Sequence, residues 1–271
     1  MKIGNTIINV RGDFDIACTR RLSGNGATVV FIHGFGSAKE HFRYAFDSPS
    51  LEGFSLVVPD LVGFGQSRGP EEFGYRMKDQ AAVILQLLDR LEIVTFHLCA
   101  HSMGGLIAMN MAEMEPFRVL SLIDMEGNLT PEDCFISGQV AERTFEEFVE
   151  KGRRKLEVLF RDAGLEDPSM REYVNTFAAA STEALYTSAC HTVEVSSTPL
   201  VERLSRIRNV CFIYGEKNRG LYPGEALLQA AGVPIFYIKD AGHSMATENP
   251  KQLFSVIRSF IDGVSRTAPG G

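Results

Sequence analysis

Ser102 stands in the part of this chain where a side chain could act as a nucleophile. The surrounding stretch, TFHLCAHSMGGLIAMNMA (95–112), is an apolar run followed by a helical pattern. Small residues lie two before and two after the serine, at Ala100 and Gly104, as a sharp strand-to-helix turn requires. Such a turn lifts the hydroxyl above the sheet and points the amide of Met103 at any oxyanion formed beside it. A simple helix-capping role for the serine is the alternative.

A serine nucleophile needs a base, and His243 is the predicted one. Imidazole is suited to this task because it exchanges protons near neutral pH. Of the six histidines, His243 alone occupies a loop that follows an apolar run late in the chain, IKDAGHSMATENP (238–250). His101 adjoins the serine, and we expect it beside the base and among the residues that contact a substrate.

Three carboxylates could orient that imidazole. Glu126 lies in SLIDMEGN (121–128), 24 positions after Ser102. Asp124 precedes it on the same run and, by alternation, would point the same way with a shorter reach. Glu216 follows a later apolar run. The side chains alone leave this choice open.

Two further segments should complete the site. The stretch FIHGFGSAKEHF (31–42) follows an apolar run, and its Phe35 is expected to donate its amide to the oxyanion and its ring to the substrate. Residues 128–203 contain helical patterns, no convincing strand and many aromatic side chains. Among these, Phe135 and Phe148 are predicted to contact an apolar acyl or aryl group.

The elements that must position these residues alternate between strand and helix. Apolar runs at 27–34, 54–60, 95–102, 119–126, 209–215 and 233–240 are typical of buried strands, and helical periodicities cover 77–91, 103–116, 224–232 and 250–264. This alternation predicts a mostly parallel sheet with helices on both faces. TIINVRG and FDIACTRRL, near the N-terminus, are predicted to form an antiparallel pair.

Composition narrows the class of partner. A formal net charge of −7 argues against nucleic acid as a partner. The five cysteines form neither a disulfide framework nor a CxxC metal motif, and no run of roughly 18 apolar residues could span a membrane. We therefore expect a cytoplasmic protein with a small-molecule substrate and no metal. Its oligomeric state is not indicated.

Four motifs in order, HGFG, DLVGFGQS, AHSMGG and GHS, together resemble those of the α/β-hydrolase superfamily. The likeness covers roughly 1–127 and 204–265. It implies an eight-stranded, mostly parallel sheet with a helical cap inserted after strand 6, a Ser–acid–His triad and no cofactor. The expected division is a core of 1–127 and 204–271 with a cap of 128–203.

The resemblance also implies which carboxylate serves as the acid of the triad. Most superfamily members carry it after the seventh strand, where this chain has Glu216 and then Asn218, which has no negative charge. Haloalkane dehalogenases carry it after the sixth strand, often as Met-Glu, as in Met125-Glu126 here. We therefore expect Glu126 to be the acid. The likeness to dehalogenases ends there, because their aspartate nucleophile is replaced by Ser102.

The predicted reaction is hydrolysis of a carboxylic ester or thioester through an acyl-enzyme. Two alternatives stay open at this point. One is C–C bond hydrolysis of a dienoate or diketone, which some superfamily members perform with the same triad. The other is a non-catalytic small-molecule receptor on the same fold.

Overall fold

The computed structural model describes residues 3–23, 27–167 and 170–267. Within them, eight strands form one sheet in the order β1-β2-β4-β3-β5-β6-β7-β8. The strands are β1 (Gly4–Val10), β2 (Phe14–Arg21), β3 (Thr28–Ile32), β4 (Ser55–Pro59), β5 (Phe96–His101), β6 (Val119–Met125), β7 (Val210–Gly215) and β8 (Ile235–Ile238). Each predicted strand is therefore present, and the predicted fold class is confirmed.

Strand direction follows the predicted pattern. β2 runs antiparallel to its neighbours β1 and β4, and β3 to β8 pair in parallel. Every residue of β3, β4, β5 and β7 is buried, because helices cover both faces. Continuous apolar runs, rather than alternating ones, are the expected sequence of such strands.

The helices fall on the two faces of this sheet. α1 (Met77–Arg90) and α2 (Met103–Met114) pack on one face, and α11 (Pro250–Thr267) packs on the other. Two helices flank the later strands, α9 (Pro223–Ala230) and the short α10 (Met245–Glu248). A 3-10 helix at Lys39–Ala45 follows β3. None of the described helices has the length and apolar character needed to cross a membrane.

The chain between β6 and β7 is helical in the described residues. It comprises α3 (Phe135–Ala141), α4 (Phe145–Glu147), a π-helical turn (Phe148–Gly152), α5 (Arg153–Glu166), α6 (Arg171–Ala179), α7 (Thr182–Val195) and α8 (Val201–Ser205). It docks on α1, where the Met77 amide donates to His191 Nδ1 at 3.3 Å. The buried side chains of the insertion are continuous with those of the α1/α2 face. That residues 128–203 form a separate cap domain stays a prediction. Residues 168–169 of this predicted cap and 268–271 of the predicted core lie outside the described part of the chain.

Candidate active site

Ser102 occupies a strained turn between β5 and α2. Its backbone angles are φ 53° and ψ −128°, a region that costs a non-glycine residue roughly 1–3 kcal/mol. Two hydrogen bonds hold the turn: Ser102 N donates to Met125 O at 2.9 Å, and Gly105 N donates to Ser102 O at 2.8 Å. A Cβ on Gly104 would lie 2.6 Å from Ile32 O, so a larger residue there would push the turn off the sheet. Steric crowding therefore explains why small residues flank the serine.

Glu126 and His243 meet at the carboxyl end of the sheet. Glu126 Oε2 lies 2.7 Å from His243 Nδ1, and the glutamate side chain is only 4% exposed. Glu126 has φ 48°, and its amide donates to Ile213 O at 3.1 Å, which fixes the backbone immediately after β6. Glu216 is exposed and accepts instead from the Asp240 amide at 3.3 Å.

Asp124, the other carboxylate considered for this role, lies on the α2 side of the sheet. A Cβ on Gly105 or Gly127 would come within 2.6 Å of its Oδ1, so the carboxyl is wedged between these two glycines. Burial raises the pKa of Asp124 well above its usual range, the Asp133 carboxylate adds to that rise, and the Gly127 backbone opposes it. No hydrogen bond joins it to His243. Asp124 is therefore buried on the α2 side of the sheet, away from the imidazole.

Asn218 is a site residue that sequence reasoning did not identify as a participant. Its Nδ2 donates to Glu126 Oε1 at 3.0 Å and to Oε2 at 2.9 Å. Gly215 N also donates to Oε1, at 2.8 Å. Besides His243, the carboxylate thus has backbone and amide donors at the end of β7. A polar side chain in the loop after a buried strand was the available signal for Asn218.

His101 packs against His243 and hydrogen-bonds to its backbone. Its Nε2 donates to the His243 carbonyl at 2.8 Å, and the two rings lie 4.5 Å apart. His41, from the 3-10 helix, stacks on the other side of His101 at 4.5 Å. Burial, reinforced by the nearby His243, lowers the pKa of His41 to about 3 and that of His101 well below its usual range. Both supporting rings are therefore neutral. The role of His41 was not predicted, because its position in a helical pattern gave no sign that it would contact His101.

Ser102 and the three imidazoles of His41, His101 and His243 line a cavity of about 190 Å³. Ser102, His101 and His243 line it from the sheet side. Phe135 lines it from the insertion and places its ring 5.6 Å from that of His243. Among the predicted substrate contacts, Phe35 also lines the cavity, so the structure brings three of the four together around the serine.

Phe148 is the exception, because the structure places it away from this cavity. The side chain is fully buried inside the insertion and is absent from the cavity wall. Its ring centroid lies 5.9 Å from that of Tyr186. The sequence identifies Phe148 as an aromatic residue of a helical segment, but which face of the segment turns inward depends on packing. Phe160 and Tyr173 line the cavity instead.

The loop that carries Phe35 is fastened against the serine. A Cβ on Gly34 would lie 3.0 Å from Ser102 Cβ, so only glycine allows this approach without displacement. Behind it, the Leu61 amide donates to His33 Nε2 at 3.0 Å, while His33 Nδ1 donates to Gly34 O at 2.9 Å. These two hydrogen bonds set the tautomer of His33, and burial lowers its pKa. The described hydrogen bonds include none donated by the amides of Phe35 and Met103.

A comparison with protein families identifies the group to which this arrangement belongs. A family model described as alpha/beta hydrolase fold matches residues 27–165, which is more than half of the chain. The chain belongs to the alpha/beta hydrolase family. In this α/β hydrolase the matched region contains the turn with Ser102, the loop with Phe35, and Glu126. His243 lies beyond it, and within the described residues no cluster of side chains suits a metal ion.

Curated relatives and solved structures are similar to this α/β hydrolase over different lengths. The acetyltransferase component of an acetoin cleaving system from Cupriavidus necator is 28% identical over 253 residues, which are 90% of this chain and 66% of that protein. Lipase 3 of a Moraxella species is 37% identical over 98 residues, 36% of this chain and 30% of the lipase. The chain thus spans less than two thirds of either relative. A thermophilic esterase from Thermogutta terrifontis shares the fold with a TM-score of 0.76 at 20% identity, over 97% of this chain and 99% of that one.

Proposed function

We propose that this α/β hydrolase cleaves neutral carboxylic esters or thioesters with an apolar acyl or aryl group, using Ser102, His243 and Glu126. The observation that carries the proposal is the 2.7 Å contact between Glu126 Oε2 and His243 Nδ1 beside the cavity that Ser102 lines. The strained turn under the serine and a relative named as a lipase add support. The five free thiols support a reducing, cytoplasmic location.

The proton path follows from the glutamate contact. Because Glu126 faces Nδ1, that nitrogen keeps its hydrogen and Nε2 presents a lone pair to the serine. Nε2 takes the Ser102 proton as Oγ bonds to the substrate carbonyl carbon, whose π electrons move to oxygen. The tetrahedral oxyanion accepts hydrogen bonds from the amides of Phe35 and Met103. In such sites the loss of one donor costs roughly 10²–10³ in turnover.

The oxyanion then collapses and the bond to the leaving alcohol or thiol breaks. His243 gives its Nε2 proton to this leaving group, and the acyl group stays on Ser102. A water molecule next transfers a proton to Nε2 and attacks the acyl carbon. Collapse of the second intermediate returns the proton to Ser102 and releases the carboxylic acid.

The cavity wall supports a neutral substrate. It is mostly apolar, with Phe35, Phe135 and Phe160 among its aromatic residues. Two carboxylates, Asp133 and Glu172, also line it, and no lysine or arginine does among the described residues. A dienoate, the substrate of the C–C alternative, carries a carboxylate for which this wall offers no cationic partner, so ester hydrolysis is the better match.

The test is turnover of p-nitrophenyl esters from acetate to octanoate, with Ser102→Ala beside the wild type. Ser205→Ala is the matched control, because that half-buried serine ends α8, donates to the Glu202 carbonyl and does not line the cavity. We expect Ser102→Ala to fall to background and Ser205→Ala to equal the wild type. A wild type that turns over no ester but is stabilised by ester ligands would contradict the proposal and favour the receptor alternative.

A further inference from the structure

The buried carboxylate of Glu126 has no lysine or arginine partner in the described part of the chain. Its only ion-pair partner there is His243, which is charged only when protonated. A carboxylate that is 4% exposed must be stabilised by hydrogen bonds, because burial without them costs several kcal/mol. Gly215 N and Asn218 Nδ2 provide these bonds. Among the described residues, Asn218 is thus the one side chain besides His243 that binds this carboxylate.

The contact pattern fixes the plane of the carboxylate. Gly215 N and Asn218 Nδ2 both donate to Oε1, and Asn218 Nδ2 also donates to Oε2, the atom that faces His243. A glutamate side chain can adopt several rotamers. These donors select the one that presents Oε2 to the imidazole. Asn218 therefore touches the oxygen on which the orientation of His243 depends.

Asn218 is itself tied to the loop that carries the base. It ends the 3-10 turn Glu216–Asn218, and the amide of its neighbour Lys217 donates to Ala241 O at 3.0 Å. A Cβ on Gly215 would lie only 2.3 Å from Gly242 O, so the end of β7 packs directly against this loop. The loops that carry Asn218 and His243 are therefore fixed relative to each other, and Glu126 lies between the two side chains.

The amide is the chemical group that this position requires. An aspartate has the same shape, but it would place a second carboxylate about 3 Å from that of Glu126, where two like charges cannot both ionise freely. A neutral donor binds the ionised form of Glu126 without competing for the proton of His243.

We infer that Asn218 is a positioning residue of the catalytic site, which holds the carboxylate of Glu126 aligned on His243. This inference rests on the proposed function for its kinetic consequence, but its structural core concerns the Glu126–His243 hydrogen bond. The bond can be observed without any turnover.

The test compares Asn218→Asp and Asn218→Ala with Arg219→Gln, an exposed change next to the same turn. We expect kcat to fall roughly 10–100-fold in both Asn218 variants, with KM changed by less than about threefold. Arg219→Gln should match the wild type.

Proton NMR of the full chain separates this inference from the proposed function. The hydrogen on His243 Nδ1 should give a downfield signal that Glu126→Gln identifies by removing it. We expect this signal to shift or broaden in both Asn218 variants. An unchanged signal, or an activity loss that merely follows a lowered melting temperature, would overturn the inference. Absence of ester turnover with an altered signal would contradict only the proposed function.

Discussion

Glu126 Oε2 lies 2.7 Å from His243 Nδ1 although 117 positions separate the two residues. Glu126 follows β6 and His243 follows β8, so the contact crosses the end of β7. That end supplies two donors to the carboxylate, Gly215 N and Asn218 Nδ2. The extra methylene of glutamate, relative to aspartate, suits this longer approach. Four kinds of measurement follow from this arrangement and its surroundings.

Glu126→Gln keeps the shape of the side chain and removes its charge. We expect kcat on a p-nitrophenyl ester to fall roughly 10³–10⁴-fold, by analogy with loss of the acid in other serine triads. Glu216→Gln is the control and should stay within about twofold of the wild type, since Glu216 is exposed and bonds the Asp240 amide. The opposite ranking of the two variants would show that the acid is Glu216.

Phe148→Ala and Phe135→Ala should separate stability from substrate binding. Phe148 is fully buried, so its truncation should cost roughly 3–5 kcal/mol in the free energy of unfolding. Phe135 is 45% exposed and lines the cavity, so its truncation should raise KM several-fold and cost less than about 1 kcal/mol. Urea unfolding and ester kinetics measure both quantities. A raised KM in a fully folded Phe148→Ala protein would refute this assignment.

Charge in the cavity wall should select against anionic esters. p-Nitrophenyl valerate and the mono-p-nitrophenyl ester of glutaric acid have similar lengths, but the second ends in a carboxylate. We expect the neutral ester to have a kcat/KM at least about tenfold higher, because Asp133 and Glu172 line the cavity. Glu172→Gln should narrow this ratio by freeing Arg43, its present ion-pair partner. A preference for the anionic ester would contradict the neutral-substrate proposal.

Asp124→Asn should stabilise the fold increasingly as pH rises. Burial raises the pKa of Asp124 above its unfolded value of 3.8, so between these two values the folded chain binds more protons than the unfolded chain. Stability contributed by this group is thus present below the unfolded pKa and is lost as pH rises through the folded pKa. The unfolding free energy of the variant minus that of the wild type should grow by up to about 1.4 kcal/mol per pH unit. A difference independent of pH would show that Asp124 is ionised in the fold.

The sequence predicted those parts of the molecule that local patterns determine. Buried strands have continuous apolar runs, and the turn at Ser102 requires small neighbours, so residue order alone locates both. Glu126 could be preferred over Asp124 and Glu216 only through the resemblance to haloalkane dehalogenases, which carry the acid after the sixth strand. Asn218 could not be assigned a role, because its partner lies 92 positions away and its lack of charge argued against participation. The inward face of the segment with Phe148 likewise depends on tertiary packing.

The pairing of β6 with β7 has a consequence for how catalytic competence arises. These parallel neighbours are separated in the chain by residues 126–209, the whole helical insertion, so their pairing must close a long loop. Contacts of such long range form slowly relative to local helices. The carboxylate of Glu126 forms its hydrogen bonds with Gly215, Asn218 and His243 only when the C-terminal strands dock. A nascent chain ending within the insertion therefore contains the serine turn but lacks His243, and the contact between Glu126 and His243 forms only once the last strands join the sheet.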